Sequence, residues 1–151
     1  MQLKKPYKDI AETMYYLMLQ IRDSINYADK YLPLEIPGNK VMYLWDRLKD
    51  DTVYVDDGPG ETIQTMPTLF ERNIWKIRGA GDCDCFTVTA SACFLVLNLP
   101  ARIILAGRDR YEPVHIYNEV KTPAGFIPFD LTADKLGAVR HYPYLQKIPL
   151  R

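Results

Sequence analysis

From Tyr7 to Tyr31 the apolar positions Ile10, Met14, Tyr15, Met18, Ile21, Ile25 and Tyr27 recur at helical spacing. That spacing predicts one long amphipathic helix, with Asp23-Ser24 as the point where it could break. A Met and Tyr stripe of this kind reads as core rather than as a binding groove. Leu32 to Asn39, with Pro33, Pro37 and Gly38, reads as a loop, and Val41 to Leu48 as a short helix carrying Trp45. Thr52-Val53-Tyr54-Val55 alternates like a short strand between Asp50-Asp51 and Asp56-Asp57-Gly58-Pro59-Gly60. Those acidic flanks lack the oxygen-ligand spacing of a calcium loop and read as solvated. Glu61 to Arg78 is mixed, with Pro67 suiting a helix start ahead of Thr68 to Arg72.

Downstream the pattern is sharper. Thr87 to Leu97 carries no charge. Phe86-Thr87-Val88-Thr89 has strand propensity, but Asp84 to Leu97 is too long for an ordinary strand. With Ala90, Ser91, Ala92 and Cys93 it predicts a helix buried on most sides. Asn98-Leu99-Pro100 ends it, Ala101 to Ala106 reads as a strand, and Gly107 to Pro113 as a polar loop. Val114 to Val120 alternates, so His115, Tyr117 and Glu119 share one face. Lys121 to Gly125 is a hairpin turn, and Phe126 to Leu131 the returning strand. Arg140 to Arg151, rich in proline and tyrosine, reads as a surface tail. No internal repeat or low-complexity segment interrupts the chain.

Composition narrows the classes. The 151 residues suit one domain with a core that needs no disulfide support. Nineteen basic residues balance nineteen acidic ones, so no global field argues for nucleic acid or an anionic membrane. No apolar run reaches the length of a membrane span, and Met1 to Pro6 has lysines without the apolar segment of a secretory signal. Three cysteines, two of them one residue apart, suit a reducing compartment, and the reading is cytoplasmic.

The candidate chemistry lies in Gly79-Ala80-Gly81-Asp82-Cys83-Asp84-Cys85-Phe86. Asp82 is a suitable helix N-cap, and Cys83 then falls in the first turn, where the helix dipole favours thiolate. The glycines allow a sharp bend and leave the sulfur uncrowded. A thiolate nucleophile needs a base and a group to orient that base. The chain has two histidines. His115 lies on a predicted strand and Asp130 on its hairpin partner, so the two can meet across the strands. His141, without an alternating strand around it, reads as a surface residue. Glu119, on the same face as His115, reads as an edge residue in solvent. A zinc site from Cys83, Cys85, Cys93 and His115 is disfavoured, because positions i and i+2 of a helix diverge. No metal or cofactor is expected, and Cys85 and Cys93 read as small buried residues.

The order Gly81-Asp82-Cys83-Asp84, Leu99-Pro100-Ala101-Arg102-Ile103, His115-x-Tyr117-x-Glu119-Val120, and Gly125-Phe126-Ile127-Pro128-Phe129-Asp130-Leu131-Thr132 resembles the transglutaminase-like superfamily. The likeness spans Ile63 to Ala133 and includes a lead-in, Ile63 to Pro67, similar to small bacterial and phage-encoded members. It implies an α+β, papain-like core with the cysteine at the N-terminus of a buried helix on an antiparallel sheet. It also implies Cys83 as nucleophile, His115 as base and Asp130 as orienting acid, acting on peptide or amide bonds by hydrolysis or by acyl transfer to an amine. Cys85 departs from the pattern, since many small members have a second Asp there. Larger members place an upstream Trp near the oxyanion, which makes Trp45 and Trp75 candidates, although core packing is the preferred reading of both.

The expectation is thus one domain: an N-terminal helical extension (1–60), a catalytic core (61–133) and a surface tail (134–151). Its function reads as a cysteine hydrolase with a peptide or protein substrate and neither nucleic acid nor membrane as partner. The alternatives are a transglutaminase or a non-catalytic assembly module with a virion partner.

Overall fold

The computed structural model describes residues 2–3, 10–55, 61–71, 79–111 and 113–150. In chain order the elements are β1 (Gln2–Leu3), α1 (Ile10–Tyr31), α2 (Lys40–Asp51), β2 (Thr52–Tyr54), β3 (Glu61–Thr62) and α3 (Met66–Glu71). There follow β4 (Gly79–Gly81), α4 (Cys83–Val96), β5 (Ala101–Gly107), β6 (Pro113–Thr122), β7 (Gly125–Phe129) and β8 (Tyr144–Pro149). The fold is α+β. An antiparallel sheet in the order β7-β6-β5-β8 is joined by two short pairs, antiparallel β1-β3 and parallel β2-β4.

Helix α4 lies between α1 and the sheet, which is why its sequence is apolar all round. Every residue from Asp84 to Phe94 is buried. On the sheet side Val88 packs with Ile103, Leu105 and Ile116. Ser91 Oγ accepts from Asn118 Nδ2 at 2.9 Å, a polar link from helix to strand inside the core. The helix closes on Asn98, whose φ of 54° is tolerated by asparagine. Asn98 N–H donates to Leu95 O and Leu99 N–H to Phe94 O, which satisfies the last carbonyls before Pro100.

Helix α1 is one long helix, as expected, continuous through Asp23-Ser24 where it could have broken, and its buried face is Thr13, Leu17, Ile21, Ser24 and Ala28. Tyr15 and Met18, expected in the stripe, are exposed. Small residues won the position because α1 packs closely against α4, and Ser24 has two tasks. Its hydroxyl donates to Gln20 O and accepts from Met66 N–H at the start of α3. Leu17 and Ile21 share one apolar cluster with Val88 and Ile116, so α1 belongs to the core rather than extending from it.

The segment after residue 133 also differs from the expected surface tail. Tyr144–Pro149 pairs antiparallel with β5 as an edge strand. Before it, Val139 and Tyr142 pack on Ile104, Ala106 and Tyr117, the sheet face turned away from α4. An apolar outer face needs a cover, and this segment supplies it. The hairpin is tighter than expected: Thr122 pairs with Gly125, leaving Pro123-Ala124 as its loop, and Gly125 takes a φ of 104°. Glu119 is buried, not solvated, and meets Arg102 at 3.1 Å and Lys147 at 3.4 Å.

Candidate active site

Strand β2 runs parallel to β4, and Val55 N–H donates to Gly81 O at 2.8 Å, which delivers the chain straight into α4. Gly81 is required for space rather than for a bend. A Cβ there would stand 2.6 Å from Leu69 Cδ1 and 2.8 Å from Cys85 Cβ. Asp82 occupies the N-cap position with extended backbone, but its carboxylate makes no capping bond, contrary to expectation. Asp84 bonds within the turn instead, its Oδ1 accepting from Cys85 N–H at 2.9 Å. Thr87 Oγ1 lies 2.8 Å from Cys83 O and 3.2 Å from Ile116 O. One hydroxyl therefore ties the first turn of α4 to the strand that carries His115.

The three cysteines differ in setting. Cys83 is half-buried, while Cys85 and Cys93 are fully buried. Burial, reinforced by Asp84 and Asp82, drives the Cys85 thiol far above its ordinary range, although Gln64 N–H donates to its sulfur. Burial pushes Cys93 up to about 12. Asp82, Asp84 and Cys85 bring oxygen and sulfur atoms within 4.8 Å of one another, a group that could hold a cation. It shares only Cys85 with the zinc set considered from sequence, and Cys93 and His115 stand apart from it.

His115 and Asp130 are brought together by the β6–β7 hairpin, with His115 Nε2 2.6 Å from Asp130 Oδ2. The other carboxylate oxygen, Oδ1, accepts from Thr132 N–H at 3.0 Å and Thr132 Oγ1 at 2.7 Å. Burial alone would raise the Asp130 pKa. The His115 bond and charge and the two Thr132 donors outweigh it and hold the carboxyl below its usual range. Engaging Nε2 with the acid leaves Nδ1 as the ring atom that can exchange a proton elsewhere. The imidazole stacks on Tyr117 and Tyr142, with ring centroids 5.5 and 5.7 Å away and both planes 24° off parallel. Burial pushes the Tyr117 phenol up to about 12.

Cys83, His115 and Asp130 line one pocket of about 470 Å³, together with Tyr54, Val114, Thr132, Ala133, Arg140 and Tyr142. His141 is exposed and is not part of that wall. Trp45 is core, edge-on to Phe129 at 5.2 Å, and Trp75 lies outside the described residues. The sequence reading missed Thr132, Tyr142 and Lys49. Lys49 reaches from α2 to donate to Leu131 O and Ala133 O, at 3.0 and 2.8 Å, and so pins the loop behind Asp130. Threonine two residues after an aspartate is a local turn signal that could have been read. Lys49 carries no such signal, since its partners lie far along the chain.

No helix among the described residues is long and apolar enough to cross a membrane. No protein-family model matches the sequence, and no curated protein matches it. Among solved structures the chain is similar to a candidate cysteine protease from Cytophaga hutchinsonii, with a TM-score of 0.52 at 20% identity. The match covers 96% of this chain and 49% of that protein, so this chain spans about half its length. The chain therefore shares its overall fold with about half of that structure.

Proposed function

We propose that the protein is a cysteine hydrolase that cleaves peptide or amide bonds through a thioester at Cys83. The observation that carries this reading is the 2.6 Å bond from His115 Nε2 to Asp130 Oδ2 on the wall of a pocket that Cys83 also lines. The Cys83 thiol gives its proton to His115 Nδ1, and the thiolate attacks the substrate carbonyl carbon. Backbone N–H groups in the first turn of α4 stabilise the resulting oxyanion. The imidazolium returns the proton to the departing amine as the C–N bond breaks, which leaves the acyl group on sulfur. Water, deprotonated by His115, attacks the thioester, and the C–S bond breaks to release the carboxylic acid and restore the thiol. Asp130 keeps the imidazole in the productive tautomer and balances its transient charge. A primary amine in place of water would give acyl transfer by the same steps.

Brief iodoacetamide treatment at neutral pH followed by mass spectrometry tests the nucleophile, with label expected on Cys83 ahead of Cys85 and Cys93. A peptide library incubated with and without dansylcadaverine then reads hydrolysis and transfer together. Preferential labelling of Cys85 or Cys93, or turnover kept by Cys83→Ala, overturns the reading.

A further inference from the structure

We infer that Arg140 makes the pocket at Cys83 a subsite for a carboxylate, selecting peptides with an acidic side chain next to the reacting bond. The inference rests on the reading of Cys83 as nucleophile and adds the substrate class. Arg140 lines the pocket with Cys83 and His115. Among the described residues no hydrogen bond or ion pair holds its guanidinium. Asp130, on the same wall, makes no ion pair with it: one of its oxygens is engaged by His115 and the other by Thr132. The pocket therefore presents a cation alongside a carboxylate whose oxygens already have partners.

Electrostatic reach is consistent with this. Burial raises the Tyr142 phenol, Arg140 opposes that rise, and Asp130 and Cys83 add to it. One side chain thus senses the arginine, the acid and the sulfur together. A guanidinium recognises a planar carboxylate with two parallel donors, whereas a lysine side chain would meet repulsion here. Tyr54 and Val114, both more than half exposed, add apolar surface to the same wall for the remainder of a peptide.

The test compares alkylation of Cys83 by iodoacetate and by iodoacetamide at low salt, followed by mass spectrometry. In both, the thiolate displaces iodide as the C–S bond forms, and the reagents differ in the carboxylate. Each variant's iodoacetate rate is divided by its own iodoacetamide rate, which removes general effects on the thiol. Arg140→Ala should lower this ratio by about two- to five-fold, Arg140→Glu should lower it further, and Arg140→Lys should keep most of it. The difference should shrink as salt is raised. In matched peptides, Arg140→Ala should raise KM for the Glu member more than for the Gln member. A Cys83 that labels with the same ratio in parent, Arg140→Ala and Arg140→Glu overturns the carboxylate subsite and leaves the nucleophile standing. A Cys83 that fails to label with iodoacetamide overturns both.

Discussion

Two buried carboxylates stand beside β6, close to Tyr117, and each meets a nitrogen partner. Glu119 faces Arg102 and Lys147, and the Arg102 guanidinium lies 3.6 Å from the centroid of Phe126. Both of its partners are permanent cations at neutral pH, so the cluster fixes the register of β5, β6 and β8 without moving a proton. Asp130 instead faces one imidazole, a side chain that can serve as both acid and base. Its second oxygen is tied down by Thr132, and a pocket opens where Cys83 stands. The same carboxylate chemistry locks a sheet through Glu119 and equips a site through Asp130. The difference lies in the partner and in the access.

The largest effects should separate the two clusters by activity. Cys83→Ala and His115→Ala should each lower turnover by about 10³-fold or more, because no thioester forms without the first and no proton is shuttled without the second. Glu119→Gln should leave turnover within about two-fold while lowering stability by about 1–2 kcal/mol, mostly through the Arg102 guanidinium, since Lys147 is exposed to solvent. Steady-state rates and urea melts of the three variants check both halves. Turnover lost in Glu119→Gln at full stability would erase the distinction.

Asp130→Asn should fall between, with about a 10²-fold loss in turnover, because the amide keeps the shape but orients the imidazole less well. Its stability should also depend on pH. The folded carboxyl is held below its ordinary value of 3.8, so its contribution is complete above that value and disappears as pH falls through the lower folded value. Urea melts should therefore show parent and Asp130→Asn well separated at pH 6 and converging toward pH 3. A constant gap across that range would mean that the His115 and Thr132 bonds do not hold the charge.

Much of this contrast was legible in the sequence because it follows local rules. Alternation placed His115 on a strand, the Pro123-Ala124-Gly125 turn folded Asp130 back toward it, and length decided for a buried helix over a strand in the uncharged run after Cys85. What escaped depends on partners far along the chain. The buried face of α1 was misjudged because Thr13, Ser24 and Ala28 look polar or neutral in isolation, yet smallness is what packing against α4 demands. Glu119 looked solvated because Lys147 belonged to an apparent tail. Yet Tyr144, Gln146 and Ile148 alternate with Leu145, Lys147 and Pro149 between half-buried and exposed, the period of an edge strand. The prolines at 143 and 149 hid that period, although prolines are tolerated at strand ends and edges.

The smallest expected effect concerns how each carboxylate is anchored. Glu119 is held by neighbours within its own sheet, whereas the loop behind Asp130 is held from outside by Lys49 of α2. The ammonium is charged and donates to two carbonyls, and its stem runs beside Trp45, with Nζ 5.6 Å from the ring centroid. Lys49→Met would keep most of the apolar stem and remove the donors, leaving Leu131 O and Ala133 O without them. A net loss of about 1–2 kcal/mol follows, a drop of about 2–8 °C in Tm for a chain of this size. The loop would then hold Asp130 less firmly against His115, so kcat should fall a few-fold with little change in KM. Combining Lys49→Met with Asp130→Asn separates anchoring from mere destabilisation. If Lys49 acts through Asp130, the double variant loses no more activity than Asp130→Asn alone. If the losses multiply, Lys49 supports the pocket by another route, and the two carboxylate clusters differ in their chemistry but not in their anchoring.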